Sequence, residues 1–177
     1  MSDLWRQAAD AWLVEHQTVD MPAPALTSLR AAEQFILCNI RLWWNVTPTH
    51  KGEDTAARTF VREGFASINL PLTAREGFER FLLILKTAAV QIPHINGISC
   101  AEVSDDETRL LSLISLCQQG HNGHALMVLK RWLPPTAYRV SLENAVRFAS
   151  GAAEQGLILP ARLKLPVRDT DARPLLH

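Results

Sequence analysis

Apolar residues recur at three- and four-residue steps in several stretches of the chain, and this spacing is typical of amphipathic α-helices. The clearest stretch is 104–133, where one face carries Leu110, Leu113, Ile114 and Cys117. Ser104 and Glu107 have the spacing of a capping box, and Gly120 suits the position that ends a helix. A second apolar run follows and ends at a double proline. The stretch therefore predicts a hairpin of two antiparallel helices, with Asn122 as the cap of the second.

The same period predicts further helices over about 4–14, 27–44, 54–65, 73–90 and 135–155. The helix 27–44 is expected to bury Leu29, Ala32, Ile36, Ile40 and Trp43 and to expose its polar side, which includes Glu33 and Arg41. In the helix 54–65, Asp54 is the expected cap and Phe60 is expected to face inward. The helix 73–90 is apolar on nearly every side, which predicts a central position. Thr73 and Glu76 have the spacing of a second capping box there.

The last residues follow a different pattern. Leu163, Leu165 and Val167 alternate with other residues, and three prolines divide the segment. This predicts an extended tail over 157–177, which docks on its own domain or on a partner subunit. Residues 1–156 are predicted to form one domain. The fold class is therefore all-α, an irregular bundle of six or seven helices with an extended C-terminal tail.

Composition narrows the classes of protein that fit this pattern. In 177 residues, 47% are hydrophobic, and 18 basic side chains balance 18 acidic ones. A balanced charge argues against nucleic-acid binding, which usually shows a basic excess. The longest apolar run, 81–92, contains Lys86 and is too short to span a membrane. The start lacks a secretory pattern, and three cysteines are an odd number, so free thiols in the cytoplasm are predicted.

One cluster in the hairpin has the residue types of a metal site. Cys117, His121 and His124 lie within eight residues, and zinc takes cysteine and histidine ligands at short spacings. Cys100 or His94 could supply the fourth ligand. A packing interpretation competes, because Cys117 falls on the apolar face of its helix and His121 follows the end of that helix.

A second cluster centres on a thiol. Cys100 lies shortly before the predicted cap Ser104, and a helix start can lower the pKa of a thiol. His94 or His121 would then be the base that a cysteine nucleophile needs. The sequence does not show that these residues meet, and an inert thiol is the competing interpretation. A metal- or thiol-dependent site around Cys100, Cys117, His121 and His124, in a sensor or an enzyme, is therefore the alternative function.

Two adjacent tryptophans mark a third candidate. Trp43 and Trp44 point about 100° apart on a helix, so they cannot both face the same core. One of them is expected to face the core. The other either makes a second packing contact or lines an interface or a small-ligand pocket between helices, where tryptophan is enriched. With Leu163, Leu165 and Val167 of the tail, they are the predicted interaction residues.

No catalytic motif accompanies these features. The chain lacks a phosphate-binding glycine loop with its lysine and lacks a GxSxG turn. Helix capping accounts for the acidic run Asp105, Asp106 and Glu107, so no catalytic residue and no cofactor are assigned, apart from the zinc alternative. We therefore expect a non-enzymatic cytoplasmic protein in a regulatory or adaptor role, which binds another protein or itself as a homodimer.

Overall fold

The structure is a computed structural model, and it describes residues 24–45 and 56–161. Within these ranges the chain forms six α-helices and one short 3-10 turn over Leu26–Ser28. The helices are α1 (Ala31–Asn45), α2 (Ala56–Ser67), α3 (Leu72–Ala88), α4 (Asp105–Gln118), α5 (Asn122–Leu129) and α6 (Pro135–Glu154). The only β pairing in the described ranges is an isolated bridge between Ala25 and Glu102. The predicted all-α class is confirmed, and none of the described helices is both long and apolar enough to cross a membrane.

The predicted hairpin is present as α4 and α5, and its start is the predicted capping box. The Ser104 hydroxyl accepts the Glu107 amide proton at 3.1 Å, and the Glu107 carboxylate accepts the Ser104 amide proton at 2.8 Å. Gly120 ends α4 with a φ of 74°, a left-handed conformation that glycine adopts without a steric penalty. The predicted cap of α5 was wrong, because His121 occupies the cap position and Asn122 is the first helical residue.

Helix α4 lies at the centre of the bundle, where the sequence had placed 73–90. Every residue from Leu110 to Cys117 is buried, and α4 packs against α1, α5 and α6. By contrast, α3 leaves Leu83 49% exposed, and it ends at Ala88. Helix α3 also lacks the predicted capping box, because it begins at Leu72 with Pro71 in the cap position.

The most extensive contact in the bundle joins α3 and α6, and two glycines make it close. A Cβ atom on Gly77 of α3 would lie 2.8 Å from the carbonyl oxygen of Asn144, and one on Gly151 of α6 would lie 2.5 Å from the Ala74 Cβ atom. Real Cβ atoms do not approach other atoms so closely, so glycine is needed at both positions. Three aromatic rings fill the adjoining core, with centroids 4.9–5.9 Å apart: Phe65, Phe78 and Phe148.

The chain leaves α2 through a turn at Asn69, a residue that the sequence alone did not single out. Asn69 has a φ of 55°, while the Asn69 and Leu70 amides donate to the carbonyls of Ala66 and Phe65. Asparagine tolerates this left-handed position better than most residues, so Asn69 does here what glycine does at the end of α4. The inward orientation predicted for Phe60 was wrong, since its side chain is 63% exposed.

The predicted tail begins directly after α6. Leu159 is buried, and the Gln118 side chain of α4 accepts the Leu159 amide proton at 2.9 Å and donates to the Leu157 carbonyl at 2.7 Å. The Ser115 hydroxyl donates to the carbonyl of Pro160 at 2.9 Å. Ala161 is exposed, and residues 162–177 lie outside the described part. Residues 157–160 thus contact α4, and docking of the rest of the tail stays a prediction.

Candidate functional site: the connection between α3 and α4

A fully buried ion pair links α1 to the start of α4. The Nε atom of Arg41 donates to Oε1 of Glu107 at 2.7 Å, and its Nη2 atom donates to Oε2 at 2.8 Å. Both side chains have 0% of their surface exposed. The hydrogen bonds that Arg41 donates to Glu107 raise the pKa of Arg41, although burial acts in the opposite direction. Such a paired arrangement of two parallel bonds is the geometry that guanidinium and carboxylate groups favour.

The same two side chains also bind the connection between α3 and α4, residues 89–104. Arg41 donates to the carbonyls of Cys100 at 2.7 Å and of Glu102 at 2.5 Å. Glu107 accepts the Asn96 amide proton at 3.0 Å in addition to that of Ser104. Removing two charges from water costs free energy, and the hydrogen bonds to these backbone groups offset part of that cost.

Further hydrogen bonds hold the same connection along its length. The amide of Val90 donates to the Trp132 carbonyl at 2.8 Å, and the amide of His94 donates to the Asp106 carboxylate at 2.9 Å. The Asn45 side chain, at the end of α1, donates to the Asn96 carbonyl at 3.0 Å. Residues 24–26 run antiparallel to 101–103, with two backbone hydrogen bonds of 2.7 and 2.9 Å. The connection lacks helix and is nevertheless fixed at many points.

This fixed backbone divides the apolar side chains of the connection into two sets. Ile95 and Val103 are 8% and 1% exposed and join the core. Val90, Ile92 and Ile98 are 75%, 64% and 52% exposed. We call these three residues the apolar rim. The connection thus exposes three branched apolar side chains to water. Its backbone is nevertheless ordered by the buried ion pair and the hydrogen bonds around it.

The predicted metal ligands are not assembled in the structure. The side chain of Cys117 is buried, and burial raises the pKa of its thiol to about 12. A cysteine binds zinc as its thiolate, so this environment opposes metal binding by Cys117. His121 and His124 are exposed, with ring centroids 6.1 Å apart. In the described ranges no group of three or more histidine, cysteine or acidic side chains could hold a metal ion.

Cys100 contributes its backbone to the connection. Its carbonyl accepts a hydrogen bond from Arg41, and its thiol is half-buried and not in a disulfide. The backbone of His94, the predicted base, is tied to α4 through Asp106 and through the Ser104 hydroxyl at 2.6 Å. A nucleophilic role for Cys100 stays a prediction.

The two adjacent tryptophans diverge in the way their spacing requires. Trp43 is 6% exposed and belongs to the core, whereas Trp44 is half-buried. Both carry a cation above the ring, because the ammonium nitrogen of Lys86 lies 5.8 Å from each centroid. The other predicted interaction residues, Leu163, Leu165 and Val167, lie outside the described residues.

The sequence did not reveal Arg41, which was assigned to the polar side of its helix. One signal was present: Arg41 lies four residues after Leu37 and next to Ile40, two positions that are fully buried. Residues four apart share a helical face. An arginine on such a face needs a buried acidic partner. From the sequence, Glu107 was explained by its capping role alone and so was not considered as that partner. Glu33, also assigned to the polar side, is 2% exposed and accepts the Arg30 amide proton at 2.9 Å.

Comparisons with known proteins give no relative from which a function could be carried over. No family model, no curated protein and no solved structure matches the chain.

Proposed function

We propose that this protein is a non-enzymatic interaction protein, in a regulatory or adaptor role, and that the apolar rim is its contact surface for another protein. The observation that carries the proposal is the contrast within one segment. The connection is held by a buried ion pair and by hydrogen bonds along its length, yet Val90, Ile92 and Ile98 remain exposed. Connections longer than about 12–15 residues without secondary structure are uncommon and are usually functional.

The energetics favour burial of the rim in a complex. Complete burial of a valine or isoleucine side chain contributes roughly 1.5–3 kcal/mol relative to exposure. Exposed apolar patches mark interaction sites in folded proteins, and we take these three side chains as parts of one such patch. Because the backbone of the connection is already ordered, binding would not have to order it again, and ordering is a large part of what association costs. The rim therefore resembles a preformed contact surface.

Site-specific photo-crosslinking in cells tests this function, and the chain offers a matched control. Ile92 and Ile158 are isoleucines of nearly equal exposure, 64% and 65%, but only Ile92 belongs to the rim. A benzophenone side chain at position 92 should give a discrete adduct, and the same group at position 158 should not. An adduct of twice the chain mass identifies a second copy as the partner, and any other discrete mass identifies a different protein.

The interaction must also depend on the rest of the rim. With the crosslinker at position 92, the double substitution Val90→Ser and Ile98→Ser should abolish the adduct while the circular dichroism spectrum is unchanged. Equal adducts at positions 92 and 158, or an adduct that survives the double substitution, would overturn the proposal.

A further inference from the structure

The connection between α3 and α4 carries one of the two Asn-Gly pairs of the chain. Asn96 and Gly97 lie within it, between two residues of the apolar rim, and the other pair, Asn122 and Gly123, begins α5. The backbone nitrogen of the residue after an asparagine can attack the side-chain Cγ atom of that asparagine. Glycine hinders this attack least, because it has no Cβ atom. Both pairs are therefore candidates for spontaneous deamidation, and their surroundings in the fold differ.

Three hydrogen bonds hold Asn96, and the two that oppose the attack are exposed to water. The Asn96 side-chain nitrogen donates to the Glu102 carbonyl at 3.0 Å, and the Asn96 carbonyl accepts from the Asn45 side chain at 3.0 Å. The attack breaks both bonds, because it turns the side chain and rotates ψ. Exposed hydrogen bonds of this kind open locally at low cost. The third bond, from the Asn96 amide to Glu107, is partly buried and can persist during the attack.

The backbone around Asn122 resists the same reaction. Asn122 is the first residue of α5, and the amides of His124 and Ala125 donate to the His121 carbonyl at 3.0 and 3.1 Å. Closing the five-membered ring of the intermediate takes ψ of the asparagine out of the helical range, which lies near about −42°. Asn122 can therefore react only when the first turn of α5 unwinds. It is an exposed internal control with the same dipeptide sequence.

We propose that Asn96 deamidates spontaneously and that this reaction inactivates the apolar rim as a contact surface, an inference that rests on the proposed function. The Gly97 nitrogen forms a bond to Cγ of Asn96, and the side-chain amino group leaves as ammonia with the proton of that nitrogen. Water then opens the cyclic succinimide. Hydrolysis of the bond from the nitrogen to Cγ gives aspartate, and hydrolysis of the backbone bond gives isoaspartate. Water is the only co-reactant.

Either product removes a donor that holds the connection. In aspartate, an oxygen replaces the nitrogen that lies 3.0 Å from the Glu102 carbonyl oxygen, so two acceptors face each other. The new negative charge also arises beside Arg41, which donates to the same carbonyl, and it competes with Glu107 for the buried guanidinium. Isoaspartate in addition lengthens the backbone by one carbon atom. Both products thus displace the rim residues on the two sides of position 96 relative to each other.

Ageing of the full chain in mildly alkaline buffer tests the chemistry. Peptide mapping by mass spectrometry should locate deamidation at Asn96 and much less at Asn122. Gly97→Ala is the matched control, since a Cβ atom there would meet no atom of the described residues within 4 Å and the φ of Gly97 is not positive. It should slow the reaction by about tenfold, because a Cβ atom hinders the attacking nitrogen. Equal rates at the two asparagines, an unreactive Asn96, or an unchanged rate in Gly97→Ala would each refute the site.

The photo-crosslinker at position 92 tests the consequence for the rim in cells. Asn96→Asp should abolish the adduct, whereas Asn122→Asp, the same change in the control pair, should leave it intact. Circular dichroism must show that Asn96→Asp is folded, and unfolding of the whole domain would refute a local effect. An adduct that survives Asn96→Asp refutes only the inactivation of the rim. A missing adduct in the chain that retains Asn96 refutes the proposed function and the inactivation together.

Discussion

Arg41 and Glu107 are 66 positions apart in the chain, and they form two parallel hydrogen bonds in a place that water does not reach. Removing two charges from water is expensive, so a pair of this kind is weak evidence for net stability. Its geometry has a more specific effect. The same two side chains also bind the backbone at four residues, so the pair determines the path of the connection. Nη1 and Nη2 of Arg41 donate to the carbonyls of Cys100 and Glu102, and the two carboxylate oxygens of Glu107 accept from the amides of Asn96 and Ser104.

Replacing one partner of this buried pair should therefore lower the free energy of unfolding far more than replacing one partner of an exposed pair. Glu107→Gln leaves a buried guanidinium without its counter-charge, and we expect it to lower the free energy of unfolding by about 3–5 kcal/mol in urea titrations. Glu76→Gln is the control, since it breaks an exposed pair with Arg80 at 3.8 Å. That change should cost no more than about 0.5 kcal/mol. Equal losses in the two variants would contradict the role given to the buried pair.

The two glycines at the contact between α3 and α6 give a second prediction. Gly77→Ala and Gly151→Ala should each destabilise the protein by roughly 1–3 kcal/mol, because the new methyl group forces the helices apart. In α5, a Cβ atom on Gly123 would meet nothing within 4 Å. Gly123→Ala should therefore stabilise by up to about 1 kcal/mol through helix propensity alone. Thermal melts that rank all three variants alike would contradict the close approach of α3 and α6.

Cys117 predicts a dependence of stability on alkaline pH. Its thiol pKa is about 12 in the folded protein and ordinarily 9.0. Folding raises this pKa, so the buried, protonated thiol contributes to the free energy of unfolding. That contribution is complete below the unfolded pKa and is lost as the pH rises from about 9 toward about 12. The loss is about 1.4 kcal/mol per pH unit within that window. The difference in unfolding free energy between the wild type and Cys117→Ala should therefore shrink between about pH 8 and about pH 10.5. A difference that stays constant would show that the folded thiol titrates normally.

The segment after α6 gives a prediction about where the domain ends. A chain that ends at Gly156 lacks buried Leu159 and the two hydrogen bonds to Gln118. It should unfold at lower urea than a chain that ends at Ala161, by about 2–3 kcal/mol, because a leucine side chain loses its burial. Sedimentation velocity on both chains distinguishes a change in assembly from a loss of stability. Equal stability of the two would place residues 157–160 outside the folded domain.

The elements that could be predicted from the sequence were those with local signals. The capping box of Ser104 and Glu107, the glycine turn at Gly120 and the proline at the start of α6 each depend on neighbouring residues, and the structure contains all three. The divergence of Trp43 and Trp44 followed from helix geometry alone. The exposure of Phe60 and the central position of α4 depend on which helices pack together, and no local pattern encodes that choice. The spacing of Arg41 from Leu37 indicated a buried face, but its pairing with Glu107 also depends on how α1 and α4 pack.

The contact between α3 and α6 has a consequence for the rate of folding. Among the described helices, the pair with the most extensive contact is not made by neighbours in the chain, because the whole hairpin of α4 and α5 lies between its two members. Bringing Gly77 against Asn144 requires closure of a long loop. The chain loses conformational entropy on that closure before the contact between the helices contributes any stabilisation. Folding rates fall as contacts become more distant in sequence. This all-helical chain should thus cross a slower, more collective barrier than a bundle in which each helix packs on the one before it.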